Sequence, residues 1–159
     1  MSGILQTFLM YKDIVANAFG LFGGGYDGSV TDYTDKYTYS DDTVAAGTVL
    51  GLRRASLAAT GNSTVGIFGG GGTYPGTDYT DKYTYSDDTV VAGTVLGLAR
   101  WGPAATGNST VGIFGGGYTG AATDYTDKYT YSDDTVAAGT VLGVARYSLT
   151  ACSSTANGL

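Results

Sequence analysis

Histidine and glutamate are absent from this chain, and cysteine occurs once, at position 152. Those gaps remove most of the usual catalytic vocabulary, since no imidazole is present to move protons and no His/Cys set can enclose zinc. The single Cys152 cannot form an intrachain disulfide and reads as a small strand residue rather than a reactive thiol. Basic residues are also scarce, 8 against 14 acids, and every acid is aspartate. A net charge of −6 runs against the clustered cations on which nucleic-acid binding rests. No apolar run is long enough to span a membrane, so membrane insertion is not expected. Residues 1–19 are partly apolar but have no basic leader, and Lys12 and Asp13 interrupt them, so no secretory signal is expected. The expected location is the virion or the cell exterior, reached by lysis or assembly, with the cytoplasm left open.

What is abundant is glycine (27), tyrosine (14), threonine and valine, a strand-and-turn composition. TDYTDKYTYSDDTV begins at Thr31, again at Thr77 and again at Thr123, a spacing of 46 residues. A repeat of that length without a helix-forming stretch is one supersecondary unit that needs neighbours to bury its faces. We divide the chain into an arm or plug over residues 1–14 and a three-repeat segment over 15–159, with repeats at about 19–64, 65–110 and 111–159.

The second repeat shows the unit. Ala55 to Thr60 leads into a Gly61-Asn62 turn, and Ser63 to Gly69 carries β-branched and aromatic residues up to a glycine cluster, which predicts a hairpin. Asp81 to Ser86 alternates, with Tyr83 and Tyr85 on one face, and Asp87-Asp88 supplies a turn. Thr89 to Leu96 is the fourth strand, in which Gly93 marks a bulge or the close approach of a neighbouring sheet. The expected fold is all-β: four-stranded antiparallel blades of a β-propeller.

GIFGGG, DKYTYS, TVAAGTVL and LGLAR, in that order, resemble the kelch repeat of galactose-oxidase-like propellers over about residues 19–151. In that repeat a diglycine closes the second strand, here Gly23-Gly24, Gly69-Gly70 and Gly115-Gly116, and an arginine introduces the next blade, here Arg54, Arg100 and Arg146. The tryptophan usual in the fourth kelch strand is missing, and Val44, Val90 and Val136 lie in that region. The YTYSDDTVAAGT wording is similar to repeats of bacteriophage tail or surface proteins. Copper chemistry of the galactose-oxidase type would need histidine ligands, so the resemblance implies architecture without that activity. No catalytic residue and no cofactor is expected.

Propellers close with about 4 to 8 blades, and three repeats are too few. The expectation is a homo-oligomer, with a six-bladed ring from two chains preferred and a filament as the open alternative. Phe19 to Gly25 reads as a second strand without a well-matched first, and Arg146 to Ala151 reads as a first strand followed by the degraded SSTANGL. Strand sharing between a C-terminus and an N-terminal strand, within or between chains, is therefore expected.

Asp41-Asp42, Asp87-Asp88 and Asp133-Asp134 read as turn residues before calcium ligands, there being no EF-hand spacing. The strand tyrosines Tyr37 and Tyr39 and their repeats read as packing between blades before a sugar platform. A sharper signal is divergence between repeats. Residues 31–51 and 77–97 differ at one position and 58–70 and 104–116 are identical, yet the loops beginning at Tyr26, Gly72 and Tyr118 and the segments around residues 53–57, 99–103 and 145–149 differ. In a four-stranded antiparallel blade both connections lie on the same face. The candidate ligand-binding residues are thus Tyr26, Arg53, Arg54, Tyr74, Arg100, Trp101, Tyr118, Arg146 and Tyr147. Exposed aromatics on a rigid scaffold suit a glycan or a host-surface protein. The function expected is non-enzymatic recognition or adhesion, phage-like or cell-surface, with a structural virion or filament subunit as the alternative.

Overall fold

In the TDKYT segment the aspartate and tyrosine fall on one face and the two threonines and lysine on the other, and in each repeat this segment becomes the strand that hydrogen-bonds a neighbour on both sides. A computed structural model of the chain describes residues 18–154. The arm assigned to residues 1–14 and most of the SSTANGL stretch lie outside the described residues. Eleven strands form three antiparallel sheets, and no helix occurs among the described residues. None of the described segments is therefore a helix long and apolar enough to cross a membrane.

The first sheet holds β1 (Phe19–Gly23), β2 (Thr34–Thr38) and β3 (Thr43–Ala46). The second holds β4 (Ala58–Gly61), β5 (Val65–Gly69), β6 (Thr80–Thr84) and β7 (Thr89–Ala92). The third holds β8 (Ala104–Gly107), β9 (Val111–Gly115), β10 (Thr126–Thr130) and β11 (Thr135–Ala138). Strands follow one another in chain order within each sheet, and the register repeats: Ile67 faces Lys82, Ile113 faces Lys128 and Leu21 faces Lys36.

Turn chemistry fixes the hairpins. The Asn62 side-chain oxygen accepts from the backbone N–H of Thr64 at 2.8 Å and of Val65 at 3.0 Å, and Asn108 does the same one repeat later. Asp42, Asp88 and Asp134 stand at φ of 58°, 59° and 58°, a left-handed turn position that aspartate tolerates better than most residues. The preceding aspartates accept from a threonine hydroxyl two residues on, as Asp87 does from Thr89 at 2.8 Å. These carboxylates build the turns, as their sequence positions suggested.

Two expectations are corrected in detail. The fourth strand ends at Ala92 rather than Leu96, because beyond it the chain leaves its own sheet: the Thr94 hydroxyl donates to the Asp134 carbonyl of the next sheet, and Leu96 is buried between sheets. Arg146 to Ala151 forms no strand, since among the described residues no second strand lies beside it.

The core is the space between sheets. Leu50, Phe68 and Tyr83 fill the gap between the first and second sheets. Val65, Ile67, Leu96, Phe114, Tyr129 and Tyr131 fill the gap between the second and third. Gly93 marks the close approach expected of it: a Cβ there would stand 2.7 Å from the Tyr129 hydroxyl and 2.6 Å from Thr80 Oγ1.

Candidate recognition face

The connections between β5 and β6, β7 and β8, and β9 and β10, together with the segment after β11, gather on one side of the sheets because their backbones bond to one another. Gly71 donates to the Arg100 carbonyl at 2.9 Å, and Gly117 donates to the Arg146 carbonyl at 2.9 Å. Trp101 and Tyr118 exchange both backbone hydrogen bonds, at 3.0 and 2.8 Å. Gly102 donates to the Ser56 carbonyl at 3.0 Å and Ser148 to the Gly102 carbonyl at 2.9 Å, linking the β3–β4 connection, the β7–β8 connection and the segment after β11 in a row. Ser56, Gly102 and Ser148 all adopt positive φ, at 53°, 62° and 52°, which turns each segment the same way.

This backbone frame brings four of the candidate side chains together. The rings of Tyr74 and Tyr118 are 5.9 Å apart, those of Tyr118 and Tyr147 are 5.1 Å apart, and those of Trp101 and Tyr147 are 6.1 Å apart. The edge-to-face and tilted angles are those aromatic quadrupoles favour. Tyr74 is 69% exposed and Tyr147 48%, with Trp101 and Tyr118 half-buried beneath them. The result is a continuous aromatic surface that spans three loops and the segment after β11.

The remaining candidates divide. Tyr26 is exposed on the equivalent loop of the first sheet, which is bridged through Tyr26 and Val30, and takes no part in the ring cluster. Arg53 is exposed and contacts Asp32 at 3.3 Å. Arg146 is exposed. Arg54 and Arg100 are not on a ligand face: both are fully buried. Arg54 Nη2 lies 2.8 Å from Asp81 Oδ2 and donates to the Phe68 carbonyl at 3.0 Å, and Arg100 repeats this with Asp127 at 2.7 Å and the Phe114 carbonyl at 3.0 Å. Burial pulls both guanidinium groups below their usual pKa, and the facing aspartate opposes that shift. These two arginines hold the sheet and its incoming segment together, and their full burial corrects the expectation that they contact a ligand.

The sequence did carry a signal for that role. Arg54, Arg100 and Arg146 are the same residue in every repeat while their neighbours change, which is the behaviour of scaffold rather than of a variable loop. Asp81 and Asp127, the equivalents of Asp35, read from the sequence as turn carboxylates before calcium ligands, and the structure instead buries both on a central strand. Only the arrival of arginine from a segment 27 residues earlier makes that position a buried one.

The inter-sheet tyrosines are polar as well as apolar. The Tyr131 and Thr60 hydroxyls are 2.8 Å apart, and Thr60 also donates to the Thr106 carbonyl at 3.1 Å. Burial raises the pKa of Tyr131 and raises that of Tyr85 to about 12. A comparison with protein-family models finds no match for this chain, and a comparison with curated proteins finds none.

Proposed function

We propose that this chain is a non-enzymatic recognition module, phage-like or cell-surface, built of kelch-like propeller blades and binding a glycan through the aromatic surface of Tyr74, Trp101, Tyr118 and Tyr147. The observation that carries this reading is the clustering of the four rings, which come from four separate loop or segment positions and leave two of them widely exposed. Flat, rigid rings offer apolar area at little cost in conformational entropy and stack on the C–H faces of pyranoses, and carriage on loops over a fixed scaffold suits recognition. The three sheets are read as blades of a ring that closes by oligomerisation, with six blades from two chains.

A glycan array tests the reading. Binding to a defined set of sugars that is lost in both Trp101→Ala and Tyr147→Ala supports it. A second reading, a structural subunit of a virion or filament, is favoured by the large apolar side chains exposed on the first sheet, Phe22 and Tyr39 among them. No sugar binding, together with regular polymers, selects that second reading.

A further inference from the structure

The four rings of the recognition face form a bent row. Tyr118 lies between the two most exposed of them and touches both, Tyr74 at 5.9 Å with the ring planes 44° apart and Tyr147 at 5.1 Å with the planes 64° apart. Trp101 extends the row from Tyr147, at 6.1 Å and 51°. No ring is coplanar with the one it touches, so the surface turns at every step. A flat sugar ribbon needs coplanar rings to keep all its C–H faces in contact, whereas a turning row keeps contact with a chain whose successive sugars also turn, and dispersion falls off steeply once surfaces separate.

The backbone holds this shape in place. Trp101 and Tyr118 exchange two backbone hydrogen bonds, and the carbonyl of Gly102, next to Trp101, accepts from Ser148, next to Tyr147, at 2.9 Å. Three of the four ring-bearing residues are thereby fixed before a ligand arrives, which lowers the ordering cost of binding.

The polar ends of the four side chains are unused. Among the described residues the hydroxyls of Tyr74, Tyr118 and Tyr147 and the Trp101 indole N–H have no hydrogen-bond partner, whereas the buried Tyr131 hydroxyl is 2.8 Å from that of Thr60. A tyrosine hydroxyl donates and accepts and an indole N–H donates, which matches the hydroxyls of a sugar.

Charge is missing from the row. The cation–ring contacts among the described residues are Lys36 with Phe19, Arg54 with Tyr79 and Arg100 with Tyr125, none of them on these four rings. Arg100 precedes Trp101 but turns inward to Asp127 at 2.7 Å, and the exposed Arg146 precedes Tyr147 without lying over its ring. An anionic ligand would also approach a chain of net charge −6, which repels it.

We propose that the face takes an uncharged oligosaccharide whose successive sugars turn relative to one another, with Tyr74 and Tyr147 stacked on different sugars of the chain. Tyr118 separates the two stacking positions by one ring, so a single sugar covers one position and a chain reaches both. The tyrosine hydroxyls and the Trp101 N–H bond the hydroxyls of those sugars. This inference rests on the glycan reading above and narrows its ligand.

A glycan array tests it when it carries neutral and acidic oligosaccharides, from single sugars to short chains, with turning chains such as α-1,4-linked glucose and flat chains such as β-1,4-linked glucose. Neutral turning chains should bind at least about tenfold more tightly than single sugars, flat chains or acidic chains, the gain expected of a second aromatic contact. Strongest binding to acidic chains, to flat chains or to single sugars would overturn this inference and leave glycan recognition standing. Binding to no sugar would overturn both. Titration calorimetry on the best array ligand gives a second readout. In Tyr74→Ala the advantage of a chain over a single sugar should vanish, since one stacking position is gone, and an advantage as large as in wild type would overturn the placement on two sugars. Tyr74→Phe keeps the ring, so it should retain that advantage and weaken binding only by about two- to tenfold through the lost hydroxyl.

Discussion

Arg54 and Asp81 face each other at 2.8 Å with neither side chain exposed, and the same pair recurs at Arg100 and Asp127 at 2.7 Å. Each arginine is tied by its backbone to the sheet before it and by its guanidinium to the sheet it enters: the Arg54 carbonyl accepts from Gly25, while Nη2 donates to the Phe68 carbonyl. One residue thus couples the position of two sheets.

Removing one partner of such a pair leaves an uncompensated buried charge, which costs about 3–5 kcal/mol. Arg100→Met should lower stability by about that amount in urea unfolding, whereas Arg100→Met combined with Asp127→Leu should recover much of it. Recovery should be incomplete, because Asp127 also accepts from the Gly97 N–H at 2.9 Å. Additive losses in the double variant would show that the two side chains act independently.

Thr60 links the second and third sheets through a hydroxyl shared with Tyr131 and the Thr106 carbonyl. Thr60→Val keeps the shape and removes both bonds, at an expected cost of about 1–3 kcal/mol for leaving buried groups unpaired. Thr106→Val should cost less, since its bond to the Cys152 carbonyl is exposed. Equal effects on the unfolding midpoint would contradict this ranking.

Tyr85 predicts a change at alkaline pH. Burial raises its folded-state pKa from 10.0 to about 12, so the unfolded chain releases this proton first. The contribution is fully present below pH 10 and is lost as the pH rises from there through about 12. Tyr85→Phe should flatten the fall of unfolding free energy across that window. A slope identical to wild type would show that Tyr85 does not report on folding.

Ligand binding should depend on the ring cluster and not on the buried arginines. Trp101→Ala or Tyr147→Ala should weaken glycan binding at least about tenfold, the loss expected for a central aromatic contact. Arg53→Ala, an exposed residue outside the cluster, should change it less than about threefold in titration calorimetry. A larger effect from Arg53 than from Trp101 would move the binding surface toward the first sheet.

The strand pattern was legible because each strand is short and its turns are written locally. Asn62 and Asp88 announce hairpins through their own side chains, and the runs expected as Ser63 to Gly69 and Asp81 to Ser86 pair as strands over Val65 to Gly69 and Thr80 to Thr84. Comparison of the repeats also separated the varying loops from the constant frame, and the structure places Trp101, Tyr118 and Tyr147 side by side on that varying face. Arg54 and Arg100 were misplaced, because proximity to variable loops in sequence says nothing about which way a long side chain turns.

By itself the sequence determined the unit: a 46-residue β module with fixed turns, repeated in register. Alternation and turn chemistry are short-range properties, and each repeat contains all the residues needed to express them. The tertiary structure decided what each residue faces. Asp35, Asp81 and Asp127 occupy one sequence position, yet Asp81 and Asp127 are buried against arginine while Asp35 is exposed. Burial belongs to the neighbouring sheet and not to the residue, so identical words acquire different environments only once the sheets are stacked.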